Sequence, residues 1–165
     1  MTDLDRRLLF AMRTRAHTPA LEEAMRLLGK AGNNGAIWFG LNLLLAIFDS
    51  GNREAWLICA FIAPVAIVLN YAVKVLVKRP RPDLGPDLPP LGGAPSSLSF
   101  PSAHATSSFA VATAMTRVAP LGALAFALAV VICLGRPYLG MHYPSDVLVG
   151  AALGVILGLV VPLSL

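Results

Sequence analysis

Five apolar segments dominate this chain and limit the folds open to it. A helix that crosses a bilayer needs about 20 residues. Hydrophobic residues make up 56% of the sequence and the mean hydropathy is +0.71, values that would be unusual for a soluble domain. The pattern predicts an all-α integral membrane helical bundle with about five transmembrane helices, several of them short. The segments lie approximately at residues 35–49, 55–77, 103–118, 121–136 and 146–163.

Ahead of these segments, the chain predicts two short amphipathic helices that lie at the membrane surface. In the first helix, Leu4, Leu8 and Met12 share one face and most charged residues lie elsewhere. Thr18 can cap the second helix, and Pro19 suits its first turn. Both helices are too polar to cross a bilayer. We therefore expect an interfacial region over residues 1–33.

The remaining residues, 34–165, are predicted to form the transmembrane domain. Within it, residues 79–101 contain seven of the thirteen prolines and cannot form a regular element. A connection of this length without secondary structure is either disordered or functional. Because this connection begins and ends in two of the polar motifs described below, we expect a loop that borders an active site.

Charge, cysteine content and the N-terminal sequence indicate which binding sites, cross-links and targeting segments to expect. The net charge of +4 bears on membrane topology and anionic lipid, and no nucleic-acid-binding signature is present. Cys59 and Cys133 lie inside apolar segments without a CxxC pair, so we expect core packing and neither a disulfide nor a zinc site. The acidic N-terminus has no long apolar run behind it, which argues against a cleaved signal peptide.

Three polar motifs stand at the ends of the apolar segments. Ionisable groups in such places are costly and usually functional. Cations, a hydroxyl, two imidazoles and a carboxylate are the groups needed to bind a tetrahedral dianion and break its ester bond. Five crossings would bring the motifs to one face, which supports a single phosphate site. The motifs are Lys74 with Arg81-Pro82, Pro101-Ser102-Ala103-His104, and Arg136 with His142 and Asp146.

The third motif is the most specific. Asp146, four residues after His142, can accept a hydrogen bond from one ring nitrogen and make the other a better nucleophile. Arg136 offers a planar fork to phosphoryl oxygens. Ser102 can cap a helix whose free amides face an anion, and His104 can donate a proton to a leaving oxygen. The alternative is a His-Asp pair that only satisfies a buried loop.

The cations near residue 80 fall into two groups. Lys74 and Arg81 are two helical turns apart, and we assign both to the site because the other motifs need cations there. Lys78 and Arg79 are expected to be ordinary cations at a helix end, with their stems along apolar surface.

In order and internal spacing, the motifs resemble the type 2 phosphatidic acid phosphatase (PAP2) superfamily, whose pattern is K-x6-RP, PSGH and SR-x5-H-x3-D. The resemblance covers roughly residues 55–163. It implies that His142 is a nucleophile that forms a phosphohistidine, that Asp146 orients it, and that His104 is the general acid and later the base for water. It also implies turnover without a metal or other cofactor. The implied phosphate-binding residues are Lys74, Arg81, Ser102, Ala103 and Arg136.

The chain departs from the family pattern at two positions. Ala103 replaces the usual Gly, which leaves the backbone amide but disfavours a strained turn with positive φ. Gly135 replaces the usual Ser and removes a hydroxyl donor. The five predicted spans also contrast with six in larger membrane members.

Positive charge predicts the orientation. Apart from the cations assigned to the site, eight Lys or Arg fall on the predicted site face and two on the opposite face, which places the site on the cytoplasmic side of the inner (plasma) membrane. The eight are Arg6, Arg7, Arg13, Arg15, Arg26, Lys30, Lys78 and Arg79, and the two are Arg53 and Arg117.

The expected substrate is a phosphomonoester or pyrophosphate of a membrane-embedded lipid. The resemblance and an inward-facing site favour a polyprenyl-linked phosphate of cell-envelope synthesis, such as decaprenyl-phosphoryl-phosphoribose. Alternatives are an undecaprenyl pyrophosphate or phosphatidylglycerol phosphate phosphatase, a lipid phosphotransferase of the same fold, and a non-catalytic membrane scaffold. Membrane lipids are the other expected partners, and the sequence does not indicate an oligomeric state.

Overall fold

The computed structural model describes residues 2–93, 98–120 and 122–163, and within them it contains seven α-helices and no strand. Short 3₁₀ turns at Asn33–Gly35 and Ser50–Asn52 precede the third and fourth helices. The predicted all-helical class is confirmed. The helices are α1 Asp3–Thr14, α2 Pro19–Ala31, α3 Ala36–Phe48, α4 Arg53–Val77, α5 Ala103–Val118, α6 Gly122–Tyr138 and α7 Pro144–Val160.

The two N-terminal helices form where the sequence predicts them. The Thr18 hydroxyl accepts a hydrogen bond from the amide of Leu21, and Pro19 occupies the first turn of α2. In α1, the buried face contains Asp5, Leu9 and Arg13. The predicted apolar face remains largely exposed, which suits a helix whose apolar face lies at a membrane surface.

Helix α5 lies at the centre of the bundle and packs against α4, α6 and α7. The small polar residues Thr106, Ser107, Ser108 and Thr113 of this helix are all buried. Most of this segment is therefore enclosed by the rest of the bundle. Small side chains allow neighbouring helices to approach closely.

The contact between α5 and α7 depends on a glycine at every fourth position of α7, Gly150, Gly154 and Gly158. A Cβ atom on Gly154 would lie 2.5 Å from the carbonyl oxygen of Thr106. Helix α7 therefore runs close along α5, and the two helix starts meet. There, the amide of Ser102 donates to the carbonyl oxygen of Asp146 over 3.0 Å.

The number of membrane crossings is not established by helix length. Among the described residues, one helix, Ser50–Val77, is long and apolar enough to cross a membrane. Pro19–Ala31 and Asn33–Phe48 meet the same criterion of length and hydropathy only when they are taken together, and this pair is bent by 55°. Helices α6 and α7 have 17 residues each, so the predicted segments are helical but too short to count as spans on this criterion.

The bundle core and the long connection also follow the predictions. Cys59 and Cys133 are free and buried, as expected for core cysteines. Trp38 is fully buried, and its indole N–H donates to Ser108 over 2.9 Å. The described residues of the connection between α4 and α5 contain no helix or strand, while residues 94–97 of the predicted loop lie outside the described part of the chain.

Candidate active site

The three sequence motifs meet at one cavity of about 320 Å³ where α4 and α6 end and α5 begins. Six of the eight predicted site residues line it, and the other two, Ser102 and Asp146, are buried in the protein. A larger apolar groove of about 590 Å³ between α4 and α7 contains no predicted site residue. The cavity-lining residues of the prediction are Lys74, Arg81, Ala103, His104, Arg136 and His142.

His142 presents its Nε2 atom to the cations of the cavity. Nη1 of Arg81 lies 3.2 Å from this nitrogen. Arginine can only donate, so Nε2 must be the unprotonated acceptor and the ring proton belongs on Nδ1. Nδ1 in turn lies 3.5 Å from Oδ2 of Asp146. This contact is long for a hydrogen bond, as is common in sites without a substrate. His142 is therefore protonated on Nδ1 and unprotonated on Nε2, which is the tautomer expected if Nε2 is a nucleophile.

The surroundings of His142 favour the neutral ring. The side chain is 2% exposed, and burial lowers the pKa of His142 to about 4. Asp146 opposes this shift, whereas the charges of Arg81 and Arg136 add to it. At neutral pH the imidazole is therefore uncharged and has a lone pair available.

Asp146 is held from two sides in the first turn of α7. Its Oδ2 atom accepts from the amide of Tyr143 over 2.9 Å, and its Oδ1 atom accepts from Nη1 of Arg79 over 2.7 Å. The prediction that Arg79 is an ordinary helix-end cation is wrong, because a buried carboxylate attracts its guanidinium into the protein. The neighbouring Lys78 is exposed, as predicted.

His104 lies in the first turn of α5 and contacts helix α2. Its Nε2 atom lies 3.0 Å from the carbonyl oxygen of Gly29. A carbonyl oxygen only accepts, so this nitrogen carries the proton. A Cβ atom on Gly32 would lie 2.9 Å from the His104 ring, and glycine permits this approach. The end of α2 and the turn that follows it therefore lie against the site, in addition to the surface role that the sequence predicted.

Two further cations of the cavity, Lys74 and Arg136, contact neighbouring groups of the protein. Nζ of Lys74 donates to the carbonyl oxygen of Leu98 over 2.6 Å. Nη2 of Arg136 contacts the sulfur of Met141, and its Nε atom is buried without a hydrogen-bond partner among the described residues. Unsatisfied donors of a buried guanidinium are costly, and an anion in the cavity would satisfy them.

The Ser102-Ala103 pair begins α5. The Ser102 hydroxyl caps the helix by accepting from the amide of Ala105 over 3.5 Å, and Ser102 does not line the cavity. Ala103 does line it and has no positive φ. Alanine in place of the family's glycine therefore introduces no strained turn here.

Sequence reasoning missed Asn70, which lines the cavity one helical turn before Lys74. Its side-chain amide donates to Thr106 over 2.9 Å and to the carbonyl oxygen of Pro101 over 3.3 Å. These bonds join α4 to the start of α5. The sequence feature that could have identified this residue is its position as a lone asparagine within an apolar segment, because a buried side-chain amide needs hydrogen-bond partners.

Comparison with known proteins identifies the family to which this site belongs. Residues 54–165 match the PAP2 superfamily. The chain belongs to the PAP2 superfamily. This match confirms the family that the three motifs predict. Together with a phosphatase relative, it also confirms the prediction that the protein is a phosphatase of the PAP2 type. No group of three His, Cys, Asp or Glu side chains suited to a metal ion occurs in the described ranges.

Individual PAP2 proteins resemble this chain over most of its length. The decaprenylphosphoryl-5-phosphoribose phosphatase of Mycobacterium tuberculosis is 42% identical over 143 residues, which cover 87% of this chain and 80% of the relative. The crystal structure of LpxE from Aquifex aeolicus has a TM-score of 0.79 at 27% identity and covers 96% of this chain and 94% of its own. A transmembrane PAP2-type phosphatidylglycerolphosphate phosphatase from Bacillus subtilis has a TM-score of 0.73 at 25% identity, with 94% and 81% covered. The PAP2-like fold is confirmed.

Proposed function

We propose that this PAP2 phosphatase removes a phosphate group from a polyprenyl-linked lipid, with decaprenylphosphoryl-5-phosphoribose as the leading substrate. The observation that carries the proposal is the unprotonated Nε2 of His142, which faces a cavity lined by Lys74, Arg81 and Arg136. The similarity to the mycobacterial phosphatase, which extends over most of both chains, supports this substrate class.

In the first chemical step, Nε2 of His142 attacks the phosphorus atom and a phosphohistidine forms. The bond from phosphorus to the leaving oxygen breaks, and His104, which must be an imidazolium in the substrate complex, donates one proton to that oxygen and becomes a neutral imidazole. The proton on Nδ1 of His142 stays in place, and Asp146 stabilises the positive charge that the ring acquires. His104 must exchange its hydrogen bond with Gly29 for one with the leaving group.

In the second step, water hydrolyses the phosphohistidine. His104, now a neutral imidazole, accepts a proton from the water while the water oxygen attacks the phosphorus atom. The bond between phosphorus and Nε2 breaks, inorganic phosphate leaves, and both histidines return to their starting forms. Each turnover therefore needs no co-reactant other than water.

Cations and helix amides are proposed to hold the phosphate. Lys74, Arg81 and Arg136 balance its charge, and the amide of Ala103 at the start of α5 is a further donor. Ser102 is proposed to act mainly by capping α5, because its hydroxyl is buried outside the cavity.

We also propose that helices α3 to α7 lie in the inner membrane, with residues 1–33 at its surface and the site on the cytoplasmic side. Exposed apolar side chains such as Phe48, Val68, Leu76 and Leu148 support contact between the bundle and lipid. The excess of Lys and Arg at the site end supports the orientation. A reporter fused to the C-terminus tests it: α7 runs away from the site, so a cytoplasmic reporter contradicts the proposal.

Phosphate release by the purified protein tests the function. We expect release from decaprenylphosphoryl-5-phosphoribose at a higher kcat/KM than from undecaprenyl pyrophosphate, phosphatidylglycerol phosphate or phosphatidate. The variant His142→Ala is the control for contaminating phosphatases. Release from none of these lipids contradicts the proposal. Transfer of labelled phosphate to an added acceptor lipid would instead indicate a phosphotransferase.

A further inference from the structure

A buried cluster joins helix α1 to the carboxylate behind His142. Arg79 donates through Nη2 to Oδ2 of Asp5 over 2.6 Å and through Nη1 to Oδ1 of Asp146 over 2.7 Å. Asp5 also accepts from the amide of Ser145 over 3.0 Å and from its hydroxyl. The guanidinium lies 4.1 Å from the ring centroid of Tyr143. One arginine is thus shared between two carboxylates.

These contacts are largely shielded from solvent. The side chains of Arg79, Asp5 and Asp146 are 16%, 6% and 0% exposed. Burial raises the pKa of the Asp5 carboxyl, but hydrogen bonds from Ser145 and Arg79 outweigh burial and the pKa falls below its ordinary value. Asp5 is therefore ionised at neutral pH, and Arg79 bridges two charged groups.

We propose that Arg79 and Asp5 are positioning residues that hold the Asp146 carboxylate and set the strength of its interaction with His142. This inference rests on the proposed nucleophilic role of His142. It makes α1 part of the catalytic apparatus as well as a surface helix. Arg79 holds Oδ1 of Asp146 and the Tyr143 amide holds Oδ2, so the carboxylate is fixed with Oδ2 directed at the histidine ring.

The cluster also adjusts charge. Arg79 partly neutralises Asp146, and Asp5 partly neutralises Arg79. Removing Arg79 strengthens the negative field at His142, and removing the charge of Asp5 weakens that field. The groups that face His142 or its carboxylate from the surrounding elements are Lys74 on α4, Arg79 and Arg81 on the following loop, His104 on α5, Arg136 on α6, and Asp146 on α7, with Asp5 behind Arg79.

The two substitutions therefore have opposite expected effects on the pH dependence of activity. A neutral His142 is needed for attack, so kcat/KM falls as pH drops through the pKa of this histidine. In Arg79→Gln, the acid limb of kcat/KM should move to higher pH by about half a unit to one unit. In Asp5→Asn, it should move to lower pH. A merely structural role would lower activity or stability in both variants without opposite shifts.

The experiment measures pH profiles of phosphate release for the full-length protein in detergent. The matched controls are Lys78→Gln, which removes an exposed neighbouring cation, and Asp3→Asn, which removes an exposed carboxylate from α1. We expect kcat to fall about 10- to 100-fold in Arg79→Gln with KM little changed, and the controls to match the wild-type protein. Arg79→Lys, which keeps the charge, should retain the wild-type midpoint at reduced kcat.

The outcomes separate this inference from the proposed function. If the wild-type protein hydrolyses none of the lipids, the proposed function fails and the inference fails with it. If wild-type protein is active and His142→Ala is not, but the acid limb is unmoved or moves in the same direction in both variants, the inference alone is overturned. Should Arg79→Gln not fold, the shift to lower pH in Asp5→Asn decides between these results.

Discussion

Nε2 of His104 lies 3.0 Å from the carbonyl oxygen of Gly29, so a residue of the N-terminal region contacts the proposed general acid directly. Gly29 also packs against a second predicted site residue, since a Cβ atom on it would lie 2.7 Å from Nη1 of Arg136. The backbone of α2 therefore holds two site residues at once. Its position therefore bears on the proposed catalysis.

Substitution of Gly29 should disturb the site without removing a functional group. In Gly29→Ala, the added methyl group displaces the Arg136 guanidinium, and we expect KM for the lipid phosphate to rise about tenfold, which corresponds to about 1.4 kcal/mol. Steady-state kinetics measures the change. Gly40→Ala is the matched control, because a Cβ atom there meets nothing within 4 Å. An unchanged KM in Gly29→Ala would show that α2 can move away freely.

Loss of the nucleophile should abolish the covalent intermediate. We expect His142→Ala to lower kcat by about 10⁴-fold or more, since the attacking atom is absent. With labelled substrate and a rapid acid-free quench, wild-type protein should carry phosphate in an acid-labile bond, and the variant should not. Labelling of His142→Ala at the wild-type level would assign the nucleophile to another residue.

Protonation of His142 should destabilise the fold at acidic pH. Its folded pKa of about 4 lies below the ordinary value of 6.5, so the unfolded state binds more protons between these pH values. Stability is fully present above pH 6.5 and should fall by about 3 kcal/mol as pH drops to about 4. Thermal unfolding in detergent as a function of pH measures this. In His142→Gln, the pH dependence should be smaller; an identical dependence would assign it to other groups.

Close packing of α7 against α5 should make Gly154 intolerant of side chains. In Gly154→Val, the new side chain meets the Thr106 carbonyl oxygen, and we expect a loss of about 1–3 kcal/mol in stability. Chemical unfolding in mixed micelles measures the loss. The corresponding change at Gly40, which has open space around it, should cost distinctly less. Equal losses at both sites would indicate an intrinsic helix effect of valine.

Residue spacing along single segments was sufficient to predict much of the site. The four-residue separation of His142 and Asp146 and the seven-residue separation of Lys74 and Arg81 are local properties of the chain. The structure places six of the eight predicted site residues at the cavity, and Asp146 lies directly behind His142. Apolar segments, together with helical periodicity and capping residues near the N-terminus, likewise predicted the seven α-helices of the described residues.

Partnerships between distant segments could not be predicted in this way. Arg79 was assigned to the surface because the sequence does not show that Asp5, 74 positions away, reaches it. Asn70 contacts a residue 36 positions further along, and Gly29 lies 75 positions from His104. Each pairing depends on how helices pack, which is a property of the whole bundle.

The amino-acid sequence by itself determined the helical class, the family and the chemical groups of the site, because periodicity, composition and motif spacing are written in short segments. Only the tertiary structure decided that α1 and α2 pack on the three predicted motifs and that Arg79 is shared between two carboxylates. The physical reason is that a charge or carbonyl group acquires its role from the groups that burial brings near it. Those neighbours come from helix packing and not from adjacency in the chain.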